Sequence, residues 1–240
     1  MKQRKQIRDL IYVNSNLKEK YFYSYGIEFK EFMNAVSDPP DNLILLKHNF
    51  NGADWNQHTR FDIVTKNEID QLINDNVYNY GDFCWVDFLS EDDLNRMNNE
   101  EIAELLFFGH LANPLRKLPI TRFAYYAHDD GWFNKLFVNQ LSDYSILLSK
   151  VIINKINVFS GRNYVSISAE LEHQLLEKTT NGLLIDFKKI IKNRNEIRIP
   201  VSEVGQFTDM DKVYDMRSEI TDCNTWLIFS NKKCELIIEG

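Results

Sequence analysis

Residues 80–88 read Tyr80-Gly81-Asp82-Phe83-Cys84-Trp85-Val86-Asp87-Phe88. A turn signal opens onto six residues that are almost all apolar, too short a run for a core helix, and this reads as a buried strand over Phe83 to Phe88. Alternation along a strand puts Phe83, Trp85 and Asp87 on one face. A carboxylate sharing a face with two large aromatics is partly desolvated, which raises its pKa and suits Asp87 to general acid or base work. Ordinary exposure at the strand's end is the competing reading. Cys84, on the other face, reads as core, because no motif supplies the base that a nucleophilic thiol needs.

Working upstream, Leu43 to Lys47 reads as a buried strand. Thr59, Phe61 and Ile63 alternate with His58, Arg60 and Asp62, the pattern of a strand with one dry and one wet face. Thr65-Lys66-Asn67-Glu68 has the spacing of a capping box and opens a short helix through Ile73. Ile7 to Val13 predicts a first strand. Leu17, Tyr21, Tyr25, Phe29, Phe32, Met33 and Val36 share a helical stripe, so the spacing predicts a helix over 17–36, stopped by Pro39-Pro40.

Downstream, Ser90 caps a turn of helix and Asn99 to His110 forms a longer one ending at Gly109. Thr121 to Ala127 predicts a strand, and Leu141, Tyr144, Leu148, Val151 and Ile152 mark an amphipathic helix. Beyond Ile156 strands predominate: Tyr164 to Ile167, Leu183 to Phe187, Glu196 to Ile199, Thr225 to Phe229 and Glu235 to Ile238, with helices near Ala169 to Lys178 and Asp209 to Ile220. The fold class expected is α+β or α/β: a mixed sheet with flanking helices over residues 1–155, then a smaller strand-rich α+β part over 156–240. No linker rich in Pro, Gly or Ser marks that boundary, and a single domain is the alternative.

The 240 residues carry a formal charge of −7, with 44% hydrophobic and 13% aromatic residues. An acidic chain has no long-range attraction for phosphate backbones or anionic lipid, so nucleic acid is not an expected partner. Two local basic groups exist, Lys2, Arg4, Lys5 and Arg8, and Lys188, Lys189, Lys192, Arg194 and Arg198, neither interleaved with stacking aromatics. No apolar run approaches the roughly 18 residues needed to cross a bilayer, and the basic N-terminus does not lead into a signal-peptide core. Three cysteines without a C-x-x-C pair fit a reducing, cytoplasmic setting, although Cys223 and Cys234 flank one strand and its turn closely enough for a bridge to be conceivable.

No glycine-rich nucleotide motif, G-x-S-x-G elbow or H-E-x-x-H helix occurs, so no cofactor is indicated. The first candidate site is His128-Asp129-Asp130-Gly131, where an imidazole beside two carboxylates suits a divalent metal or acid–base chemistry. The same residues are also what a tight turn needs. Trp132 and Phe133 follow as core anchors or a ligand platform. Asp87 with Trp85 is the second candidate. The third is His58, Arg60 and Asp62, three polar types at two-residue spacing that would converge on an anion, or simply face water.

His48-Asn49-Phe50, Gly81 to Phe88, Leu105 to His110 and His128 to Asn134 together resemble a family of uncharacterised soluble proteins from Gram-positive bacteria, over roughly the first 150 residues. The resemblance implies no activity. Three functions are consistent with this sequence: a non-catalytic binding or regulatory protein acting on a protein partner, a metal-assisted hydrolase using His128, Asp129 and Asp130 with Asp87 or Asp62, and a small-molecule sensor with an aromatic pocket near Trp85 and Trp132.

Overall fold

A computed structural model describes residues 9–75, 80–110, 122–128, 133–161, 163–164, 166–220, 223–230 and 234–238. The chain combines helices with antiparallel sheet, and its contacts group into two units, residues 28–143 and residues 1–27 with 144–240. The division expected after residue 155 falls inside a helix, Leu141–Ser160.

In the unit of residues 28–143 the strands are β3 (Asn42–Lys47), β4 (Asp54–Trp55), β5 (Asp62–Thr65), β6 (Phe83–Phe88), β7 (Phe123–His128) and β8 (Phe133–Val138), in the order β8-β7-β6-β3-β5-β4. Every pair is antiparallel. Where a mixed sheet was expected, these strands are antiparallel throughout, because the helices between them are short caps on the sheet's faces and not crossovers.

Both faces of this sheet are covered, which is why β6 is buried at all six positions. On one face Phe83 and Trp85 pack edge-on against Phe29 of α1 (Phe29–Ala35), and Phe32 of the same helix meets Phe123 and Tyr125. On the other, Cys84, Val86 and Phe88 join Ile44, Ile63, Ala124 and Tyr126 in a core with Leu94 of α3 (Glu91–Asn95) and Leu105 and Phe108 of α4 (Asn99–Phe108). The remaining helix here, α2 (Lys66–Asn74), begins at Thr65 as the sequence predicts. The Thr65 hydroxyl binds the Glu68 carboxylate, however, instead of capping a backbone N–H.

The other unit carries β1 (Leu10–Asn16), β2 (Tyr21–Tyr25), β9 (Leu183–Asp186), β10 (Ile191–Lys192), β11 (Glu196–Glu203), β12 (Thr225–Ser230) and β13 (Cys234–Ile238), ordered β13-β12-β11-β9-β1-β2 with β10 on β11. Its helices are α5 (Leu141–Ser160) from Tyr144 on, α6 (Ala169–Lys178) and α7 (Met210–Glu219). The Tyr144 ring stacks on Phe22 at 3.5 Å, and the hydroxyls of Ser15 and Thr179, both buried, lie 2.6 Å apart. Cys84, Cys223 and Cys234 are all free thiols.

The helix expected over 17–36 is instead a turn, a strand and a short helix. Tyr21, Tyr23 and Tyr25 fit a period of two as well as of four, and Gly26 adopts φ 80°, which no helix can pass through. Residues 58–61 are not strand either. The buried Asn56 side chain accepts from the backbone N–H of His58 and Thr59 and from the Thr59 hydroxyl, closing a turn that puts Arg60 at φ 61°. Nor is Tyr164 in a strand: the Asn157 amide bonds its N–H at 2.7 Å and its carbonyl at 2.9 Å, taking the place of a neighbouring strand.

Candidate functional site

The sheet edge where β3 ends and β6 begins holds two polar assemblies, and one backbone irregularity separates them. Leu45 pairs with Trp85, but Lys47 pairs with Cys84, so Leu46 is an extra residue in β3. Such a bulge turns the following side chain to the opposite face. Lys47 thereby joins Cys84 and Tyr126 on the α3–α4 side, where simple alternation from Leu45 would put it against α1.

There the Lys47 ammonium donates to Oδ2 of Asp82 and to the Tyr126 hydroxyl, both at 3.0 Å. The Tyr126 hydroxyl donates in turn to Oδ2 of Asp82 at 3.3 Å. Nδ1 of His128 lies 2.6 Å from Oδ1 of Asp82. Facing a carboxylate, that nitrogen is the donor, and in the neutral ring Nε2 is then the acceptor. Burial pulls the Lys47 ammonium down, but its bonds to Tyr126 and Asp82 outweigh this and raise it; burial raises the Tyr126 phenol. Burial likewise pushes the Cys84 thiol far up, which disfavours the thiolate.

On the other side of the edge, His48 follows the bulge with φ 78°, a left-handed conformation uncommon outside glycine. Its ring stacks on Tyr80 at 3.4 Å, and the Tyr80 hydroxyl binds the Asp75 carboxylate. Burial lowers the His48 imidazole, with Asp75 partly opposing, and burial and the bond to Asp75 raise the Tyr80 phenol. These side chains, with Phe50, Gln71 and Asn74, line an open cleft of about 560 Å³. That volume suits a small ligand or a single large side chain.

Of the residues singled out by sequence, His128 is in the first assembly, while Asp129, Asp130 and Trp132 lie outside the described residues. Asp87 is at the far end of β6 and on the opposite face, 3.0 Å from Nε of Arg122. Burial pushes its carboxyl up to about 6, with Arg122 pulling against this. Trp85 is 1% exposed and belongs to the core. His58 spends Nε2 on the Met97 carbonyl at 2.8 Å, Arg60 sits in the Asn56 turn, and Asp62 is on β5 opposite Leu45. The structure therefore does not bring His58, Arg60 and Asp62 onto one wet face, nor His128 toward Asp87, Asp62 or His58. Among the described residues, no group of three His, Cys, Asp or Glu side chains is placed to hold a metal ion.

Sequence reasoning missed Lys47, Asp82, Tyr126, His48 and Tyr80. The Tyr80-Gly81-Asp82 turn was a readable signal for two of them; the bulge that sorts Lys47 from His48 has none. No protein-family model matches the chain, and no curated protein or solved structure is significantly similar to it.

Proposed function

We propose that this chain is a non-catalytic binding protein of the cytoplasm, engaging a protein partner through the cleft beside His48 and Tyr80. The observation that carries this reading is the strained His48 backbone, which holds the imidazole flat against Tyr80 at the wall of an accessible cleft. Backbone strain of this kind costs on the order of 1–3 kcal/mol and clusters at ligand clamps. No helix among the described residues is long and apolar enough to cross a membrane, which agrees with this reading without fixing a location.

Differential capture tests it. Full-length wild type and the exposed-site variants Gln71→Lys and Asn74→Lys are immobilised side by side, after matching their melting temperatures. A partner held by wild type and released by both variants supports the reading. A partner held equally by all three places the interface elsewhere.

One observation favours a catalytic alternative. Asp82 fixes one nitrogen of a half-exposed imidazole and leaves Nε2 as a base, the first two members of an acid–base relay. No hydroxyl or thiol among the described residues donates to that Nε2, so among these residues the relay has no nucleophile of its own. Hydrolysis of phosphoester or amide substrates by wild type and not by His128→Gln would establish this alternative in place of the binding reading.

A further inference from the structure

Strand register in the unit of residues 1–27 and 144–240 builds a second pocket. Ser202 of β11 pairs with Leu184 of β9, and Pro200 pairs with Trp226 of β12. Paired residues and residues two apart point to the same side of a sheet, so Leu184, Pro200, Ser202 and Trp226 share one face. α7 lies against that face and is fixed at two points. Arg217 forks onto Asp186, and the Lys189 ammonium donates at 2.7 Å to the carbonyl of Ile220, the C-terminal cap of the helix. Sheet and helix together frame a partly closed pocket of about 100 Å³. We propose that it binds a small, uncharged, largely apolar molecule carrying one hydrogen-bond acceptor, which the Trp226 indole recognises.

Size and walls set the first part of this. Leu184, Pro200, Ile220 and Trp226 line the pocket with apolar surface. An apolar cavity of roughly 150 Å³ takes up benzene, so a five-membered ring is a close fit here.

The polar groups of the lining set the rest. Arg217 is held by Asp186 and Asp9, and Lys189 by the Ile220 carbonyl. The Cys223 thiol donates to the Thr225 carbonyl at 2.9 Å and lies 3.9 Å from the Ser202 hydroxyl. Trp226 differs from all of these. Its Nε1–H is buried with no acceptor among the described residues, while the Arg198 guanidinium stands 5.1 Å from the ring centroid. A buried donor left without an acceptor is costly and rare in folded proteins, and a ligand oxygen that meets it removes that cost. A charge on the ligand has no such advantage: the described ionic groups of the lining are already engaged, and the ion would give up its hydration.

Cyclopentanone and methylenecyclopentane share a ring and differ in the acceptor. Each is titrated into the isotope-labelled full chain while the Trp226 indole N–H resonance, assigned from its own backbone, is followed. The ketone is expected to move that resonance downfield together with the amides of Ser202 and Cys223; the alkene is expected to move the amides without the downfield shift. Trp226→Phe enlarges the pocket for both probes, so the ratio of their affinities is the readout. The ketone should lose about three- to tenfold relative to the alkene, the worth of one neutral hydrogen bond. Cyclopentanecarboxylate should bind the wild type more weakly than the ketone. An indole resonance that the ketone leaves in place overturns the proposal, as does a ratio that the variant does not change. Tighter binding of the carboxylate also overturns it, since Lys189 and not the indole would then read the ligand. If Trp226→Phe does not fold, the wild-type titration decides alone. None of these results bears on the cleft beside His48, with which this pocket shares no lining residue.

Discussion

Asp82 stands just ahead of β6 and His128 closes β7, and their side chains meet at 2.6 Å although 46 positions separate them in the sequence. The same carboxylate takes Lys47 and Tyr126, so it is the hub that ties β3, β6 and β7 together at this edge. Asp82→Ala should cost about 1–3 kcal/mol, because it strands a phenol and an ammonium together, whereas His128→Ala, at a half-exposed position, should cost about 0.5–1 kcal/mol. Denaturant unfolding of both singles and the double variant checks this. A coupling energy near zero would mean that the His128 contact contributes nothing to stability.

Asp87 predicts a pH dependence. Its native carboxyl, mostly buried beside Arg122, holds its proton up to about pH 6, against an ordinary value of 3.8. Between those two pH values the native state binds more protons than the unfolded chain, so this residue's contribution to stability is full below about pH 4 and is lost as pH rises through about 6. Asp87→Asn removes that slope. Relative to wild type, the variant should gain about 1–3 kcal/mol between pH 4 and pH 7, measured by urea unfolding across the range. Parallel curves for the two proteins would show that Asp87 titrates as an ordinary surface carboxylate.

Gly182 follows a 3-10 turn at φ 75°, and a Cβ built on it would stand 1.7 Å from the Gly205 carbonyl oxygen. The backbone around it is fixed by bonds from Val204 N–H to its carbonyl at 2.9 Å and from Gly205 N–H to Asn181 at 2.8 Å. Gly182→Ala should therefore cost more than about 2 kcal/mol, since both the conformation and the clash oppose it. Gly161, at φ 71° with open space around its Cβ position, isolates the conformational part, and Gly161→Ala should cost only about 1 kcal/mol. Similar losses in thermal unfolding for the two variants would contradict the close approach at Gly182.

Arg217 on α7 forks onto both oxygens of Asp186 at 2.9 and 2.6 Å and reaches Asp9 at 2.8 Å, with 11% of its side chain exposed. Arg217→Ala leaves two acids facing each other without their cation and should destabilise by about 3–5 kcal/mol. Arg217→Lys should recover only part of this, because a single ammonium cannot reproduce the planar fork. Full recovery in the lysine variant would show that charge alone holds α7 here.

Local sequence determined the elements whose signals agree with one another. Phe83 to Phe88 is a strand over the predicted residues, α6 spans Ala169–Lys178 as read, and the Asn99 helix ends at Gly109. In these segments periodicity, caps and turn residues all act within a few positions, and nothing distant competes. Where two periods fit the same residues, as at Tyr21 to Tyr25, the sequence was ambiguous, and the hairpin with β1 decided it. Of the candidate site, His128 was legible as a polar residue after a strand, but its partner Asp82 was not, nor were Lys47 and Tyr126. A bulge at Leu46, an Asn56 side chain replacing a strand's backbone bonds, and the separation of Lys47 from His48 across the sheet edge all depend on which strands lie side by side. Strand pairing is a long-range choice made by burying both faces of a sheet at once. Residue types and spacing therefore determined which segments form strands, and only the tertiary structure decided which polar groups meet at their ends.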